Sequence, residues 1–185
     1  MQAVLLLLLA GWLAYQGVRW PWATPLALLL AAWAATTLPD CDMALGLGHR
    51  SGLTHSVLPV AVASLRRRWW AVAAGLALGL GLHLSADLFP NAMRGFATVK
   101  LPGSHGLSTS IGPDASYLWI AVNAALALAV GALLTFRVAR PHVAAALLVA
   151  TAAMGVGYLF RTDGGWWALM LFAGLAWMAG RVRRQ

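Results

Sequence analysis

Long apolar blocks, separated by short punctuation of Arg, Pro, Gly and Asp, restrict what this chain can fold into more than any other feature. Seven such blocks read as helical segments, at about 3–18, 23–38, 53–65, 69–89, 117–136, 143–160 and 165–180. Hydrophobic residues make up 61% of the chain and charged residues only 10%, where a water-soluble protein carries about 25% charged. The expectation is therefore an all-α, polytopic transmembrane helix bundle of about six or seven membrane helices. The third segment is short and reads as tilted, sunk within the bundle, or continued through residues 49–52. No internal repeat or linker divides the sequence, so residues 1–185 read as a single integral-membrane helical domain. A polar motif region lies at about 36–102 and C-terminal helices at about 117–180.

Thirteen Lys and Arg stand against five acids, a net charge of +8. In a soluble chain that excess would raise nucleic acid as a partner; here it marks block ends, and no nucleic acid is expected. If the N-terminus faces outward and all seven segments cross, one side collects Arg19, Arg66, Arg67, Arg68, Arg137, Arg140, Arg181, Arg183 and Arg184. The other collects Arg50, Arg94, Lys100 and Arg161. Nine against four places the first side in the cytoplasm and all five Asp outside it.

Glu is absent, so carboxylate chemistry rests on Asp40, Asp42, Asp87, Asp114 and Asp163. A lone Cys41 excludes a CxxC metal site and an internal disulfide. Asp40 and Asp42 are followed closely by His49 and His55, and ionisable groups at membrane depth are costly enough to imply function. At the end of the fourth segment His83 and Asp87 stand four apart, on one helix face. Singly, each of these residues is explained by a cap, a solvated loop or an interhelical hydrogen bond. Jointly, Asp40, Asp42, His49, His55, His83 and Asp87 form a candidate metal-ligand set. Mixed carboxylate and imidazole donors without thiolates suit one or two divalent ions such as Zn or Mn.

Cations flank this set. Arg50 lies between two candidate ligands, while Arg94, Lys100 and His105 follow in the loop after the fourth segment. Arg50, Arg94, Lys100 and His105 thus read as a clamp for a phosphate, with snorkelling toward lipid headgroups the competing role of Arg94 and Lys100. Arg50, Asp42 and His49 are the expected catalytic residues. Thr54 and Ser56 read as caps or as donors holding His55.

The run Leu38-Pro39-Asp40-Cys41-Asp42, then His49-Arg50-Ser51-Gly52-Leu53-Thr54-His55-Ser56, then His83-Leu84-Ser85-Ala86-Asp87, resembles the YdjM-like membrane-bound metal-dependent hydrolases, a bacterial inner-membrane family (LexA-regulated). The resemblance covers about residues 36–102. It implies a multi-pass protein of the bacterial inner membrane with a divalent-metal site.

Together these readings lead to one expected function: a membrane-embedded metal-dependent hydrolase, a phosphoesterase acting through metal-activated water on a membrane lipid or lipid-linked phosphate, with its site on the extracytoplasmic side. The alternatives are a metal or proton transporter, and a non-catalytic membrane protein with a structural metal site. Oligomeric state is not readable from the sequence.

Overall fold

The computed structural model describes residues 2–17, 20–89, 97–102 and 108–182. It is all-α apart from one small hairpin. The helices are α1 (Gln2–Gln16), α2 (Ala23–Ala35), α3 (Leu58–Ser64), α4 (Trp70–Asp87), α5 (Pro113–Val138), α6 (Pro141–Leu159) and α7 (Gly165–Val182). Two 3-10 turns, Pro39–Asp42 and Arg67–Trp69, precede the polar motif and α4. Pro59, Pro113 and Pro141 fall in the first turns of α3, α5 and α6, where a missing N–H costs nothing because no helical partner exists for it.

Helix α4 is the axis of the molecule: every residue from Ala71 to Ala86 is buried. Helix α2 packs closely against it, and the approach depends on Gly75 and Gly79. A Cβ at either position would stand 2.1 Å from a carbonyl oxygen of α2, that of Leu28 or of Ala32. This Gly-xxx-Gly seam faces the alanines of α2, the small-on-small packing that lets membrane helices touch through their backbones. The exterior is apolar, with Leu118, Val122, Leu126, Leu133 and Phe136 of α5 and Val149 and Val156 of α6 exposed.

Among the described residues, three helices are long and apolar enough to cross a membrane: Arg67–Asp87, Pro113–Val138 and Pro141–Leu159. At 1.5 Å per residue the 15-residue α1 and 13-residue α2 reach only about 22 and 20 Å, short of an apolar layer of about 30 Å. The expected third segment, about 53–65, is helical only over its last seven residues, Leu58–Ser64, so it does not cross as a helix. Residues 51–57 are instead wound in turns around His55. The all-α architecture is as expected, and three of its helices are long and apolar enough to span.

The loop before α5 holds an element not expected from the sequence. Strands β1 (Lys100–Pro102) and β2 (Ser108–Ser110) pair antiparallel, with Lys100 opposite Ser110 and Pro102 opposite Ser108. Lys100 also bridges the polar motif: its N–H donates to the Arg50 carbonyl at 3.0 Å, and its carbonyl accepts from the Gly52 N–H at 2.7 Å. The two long non-helical regions are therefore stitched together through backbone bonds.

The bundle has two chemically different ends. The C-terminal ends of α2, α4 and α6 meet at one, since His83 contacts both the Thr36 carbonyl and the Tyr158 hydroxyl. Asp114 opens α5 in an exposed first turn, and Asp163 follows α6. At the other end Arg67, Arg68 and Arg137 gather with the last turn of α1 and the start of α2. The segregation of Arg from Asp expected from the sequence is present among these residues.

Candidate metal centre

Helix α4 supplies His83 and Asp87 one turn apart, and the turns of residues 51–57 lower His55 onto them. The Nε2 atoms of His55 and His83 are 3.4 Å apart, and the Asp87 Oδ2 lies 3.4 Å from the first and 3.5 Å from the second. These three atoms form a nearly equilateral triangle. Zinc binds His nitrogen and carboxylate oxygen at about 2.0–2.1 Å, and a tetrahedron of that size has edges of about 3.3–3.4 Å. The triangle is one face of such a tetrahedron.

Tautomers reinforce the geometry. The Nδ1 of His83 is 2.9 Å from the Thr36 carbonyl oxygen, which can only accept, so Nδ1 carries the hydrogen and Nε2 presents a lone pair. Tyr158 Oη stands 3.1 Å from the same Nδ1. For His55, Nδ1 lies 3.1 Å from Thr54 Oγ1 and 3.5 Å from Asp42 Oδ2, again leaving Nε2 for the centre. Asp87 Oδ2 is buried and receives no hydrogen bond. Two nitrogen lone pairs and a carboxylate oxygen thus crowd one point with no donor between them, an arrangement that calls for a cation there.

Asp40 stands on the open side. Its carboxylate is 56% exposed, with Oδ1 3.8 Å from His83 Nε2. Asp40, His55 and His83 each offer one ligand atom within 4.8 Å of the others. Asp40 and Asp87 thus both border the pair of imidazoles, and the group could hold a metal ion.

Of the six candidate ligands, the structure gathers Asp40, His55, His83 and Asp87. Asp42 is placed behind His55 instead. Its Oδ2 accepts the Ser51 N–H at 3.0 Å and faces His55 Nδ1, the carboxylate–imidazole support common around metals, while its buried Oδ1 has no hydrogen bond. His49 is half-buried at the edge of the cluster and outside the ligand group; burial, and then the neighbouring Arg50, hold its pKa below the ordinary value.

Of the cations expected to clamp a phosphate, Arg50 and Lys100 are engaged with protein acceptors. Arg50 is only 2% exposed; one amino group donates to Asp87 Oδ1 at 3.1 Å and the other to the Ala97 carbonyl at 2.8 Å. Its backbone is left-handed, φ 57°, a conformation costing a non-Gly residue about 1–3 kcal/mol that the surroundings must over-determine. Here the Lys100 backbone bond and the Asp87 pair do so. Lys100 donates its Nζ to the carbonyls of His49 and Thr98 at 3.0 and 2.9 Å, and burial pushes its amine below the usual range, with Arg50 adding to the effect. Both cations thus bind protein acceptors and hold the site together. Arg94 and His105 lie outside the described residues.

Several supporting residues carry no strong signal in the sequence. Trp119 Nε1 donates to the His55 carbonyl at 2.9 Å, and Asn123 Oδ1 accepts the Val57 N–H at 2.9 Å, so α5 pins the second half of the His55 turn. Asn123, a lone amide inside an apolar block, is the one that the sequence could have flagged. Thr36 acts through its carbonyl, Tyr158 sits at a block end, and Trp119 looks like any interfacial indole.

Fold and site together define an all-α protein with helices fit to cross a membrane and a His–His–Asp group able to hold a metal ion. Comparison with family models, with curated proteins and with solved structures gives no match in any of the three.

Proposed function

We propose that the protein is an integral-membrane, metal-dependent hydrolase acting on a phosphate-bearing amphiphile. The observation that carries this reading is the triangle of His55 Nε2, His83 Nε2 and Asp87 Oδ2, with edges of 3.4, 3.4 and 3.5 Å and an exposed carboxylate, Asp40, on its open side. Three protein ligands with an accessible fourth position is the pattern of a catalytic rather than a structural ion. A divalent ion held there supplies acidified water and a Lewis acid for the oxygen of the scissile group.

The chain's own groups have distinct parts in this proposal. His55, His83 and Asp87 hold; Asp42 and the Thr36 carbonyl fix the two imidazoles; Arg50 fixes the carboxylate. Asp40, solvated and within a water's reach of the centre, takes the proton of the attacking water. The likeness of the Asp40–Asp42, His49–Ser56 and His83–Asp87 runs to the YdjM-like hydrolases supports the same chemistry and a bacterial inner membrane. Placing the Arg end in the cytoplasm puts the site on the extracytoplasmic side. There, a centre at the ends of apolar helices meets a lipid phosphate at headgroup level without extracting the lipid. Ligands gathered at one end rather than at mid-depth do not favour transport.

Purified protein loaded with Zn or Mn should hydrolyse members of a panel of lipid phosphates, and Asp40→Asn should abolish turnover while retaining the metal. Bound metal without turnover on any lipid phosphate would overturn the enzymatic reading.

A further inference from the structure

At the end of the bundle away from the metal centre, the last turn of α1, the start of α2 and α4 and the last turn of α5 enclose a cleft of about 840 Å³. That is the size of a small-molecule site. Tyr15, Gln16 and Thr24 line it together with Arg67, Arg68 and Arg137. The three arginines come from two segments about seventy residues apart in sequence and meet in one concavity. No carboxylate side chain neutralises them. The chain has no Glu, and its five Asp sit in the metal centre, in the opposite first turn of α5 and after α6.

Two of the arginines are also backed by rings. The Arg67 guanidinium lies 5.2 Å from the Trp70 ring centre and that of Arg68 5.8 Å from the Tyr15 ring. Trp70 is itself fixed, its Nε1 donating to the Ser64 carbonyl at 3.0 Å. Arg67, Arg68 and Arg137 are exposed, as Arg140 is, but they gather around one concavity, and rings back the first two. Guanidinium forks match phosphate oxygens, and an uncompensated cluster of them attracts an anion.

We propose that this cleft binds a phosphate-bearing anion, the headgroup of an anionic membrane lipid or a free phosphate. The inference does not rest on the hydrolase reading, because it uses no residue of the metal centre.

The test is lipid binding by the purified full chain in a neutral detergent, read by native mass spectrometry with phosphatidylglycerol, phosphatidylcholine and inorganic phosphate as probes. Phosphatidylglycerol should bind at least about tenfold more tightly than phosphatidylcholine, and Arg67→Gln with Arg137→Gln should remove that preference. Arg140→Gln with Arg181→Gln, which removes the same charge outside the cleft, should leave it intact. Gln16→Trp fills the cleft at unchanged charge and should also abolish the preference, which covers the case of a double variant that fails to fold. Competition by millimolar inorganic phosphate assigns free phosphate as the source, and lack of competition assigns the lipid. Equal binding of the two lipids together with no binding of inorganic phosphate, or equal losses in the two double variants, would overturn the proposal.

Discussion

Arg50 binds one carboxylate oxygen of Asp87 at 3.1 Å and so leaves the other, Oδ2, facing the Nε2 atoms of His55 and His83 at 3.4 and 3.5 Å. A buried guanidinium is thereby coupled to the geometry of a metal-ligand group it does not join. Arg50→Gln should lower metal affinity by about 10–100-fold, the usual cost of losing a group that orients a ligand. Arg50→Lys, which keeps the charge but not the fork, should fall between the two. Isothermal titration with Zn measures the series, and unchanged affinity in Arg50→Gln would show that Asp87 needs no such support.

Asp40 and Asp42 are two residues apart yet are given different work. Asp42→Asn removes the carboxylate behind His55 and should weaken metal binding about 10–100-fold. Asp40→Asn should leave binding within a few-fold of wild type and cut any turnover by about 10²–10⁴-fold, the range for a general base. Metal content and rate measured on the same preparations separate the two roles, and a larger metal loss in Asp40→Asn than in Asp42→Asn would reverse the assignment.

Apolar blocks mark out the helices in the amino-acid sequence, and the i,i+4 pair His83 and Asp87, together with His55 and Asp40, marks the heart of the site. What stays hidden there depends on distant backbone. No sequence rule says that residues 51–57 wind into turns rather than extending α3, or that Lys100, at the start of a hairpin, bonds back to the Arg50 carbonyl. The positions of Asp42 behind His55 and of Arg50 beside Asp87 are hidden for the same reason. Spacing shows which groups share a neighbourhood, whereas a hydrogen bond to Ser51 or Asp87 decides which of them face the centre. Apolarity likewise marks α1 and α2 as membrane-like without giving their helical lengths of 15 and 13 residues.

The α2–α4 seam carries a prediction about stability. Gly79→Ala would put a methyl 2.1 Å from the Ala32 carbonyl oxygen, with little room for a main-chain contact to yield. Overpacking of this kind costs about 1–3 kcal/mol or more. Since α2 ends next to Thr36, whose carbonyl holds His83, the variant should lose both thermal stability in detergent and metal affinity. A Gly79→Ala protein that melts like wild type would show that the two helices are free to separate.

Acid should destabilise the metal-free protein partly through His49. Its folded-state pKa is lowered by burial and by Arg50, so the folded state binds fewer protons than the unfolded state around the ordinary value of 6.5. Stability therefore rises with pH through the window just below 6.5 and is lost as pH falls through it. His49→Asn should flatten that dependence in pH-resolved melting of the apo protein. An identical slope in wild type and variant would mean that His49 titrates normally.

The central claim is that His55, His83 and Asp87 share one cation. X-ray absorption at the zinc edge of stoichiometrically loaded protein tests it most directly, with His83→Ala alongside. The account predicts a four-coordinate nitrogen and oxygen shell at about 2.0–2.1 Å with the outer-shell scattering of two imidazoles, reduced to one imidazole or to no bound zinc in the variant. A shell of oxygens alone, or zinc bound unchanged in His83→Ala, would contradict it.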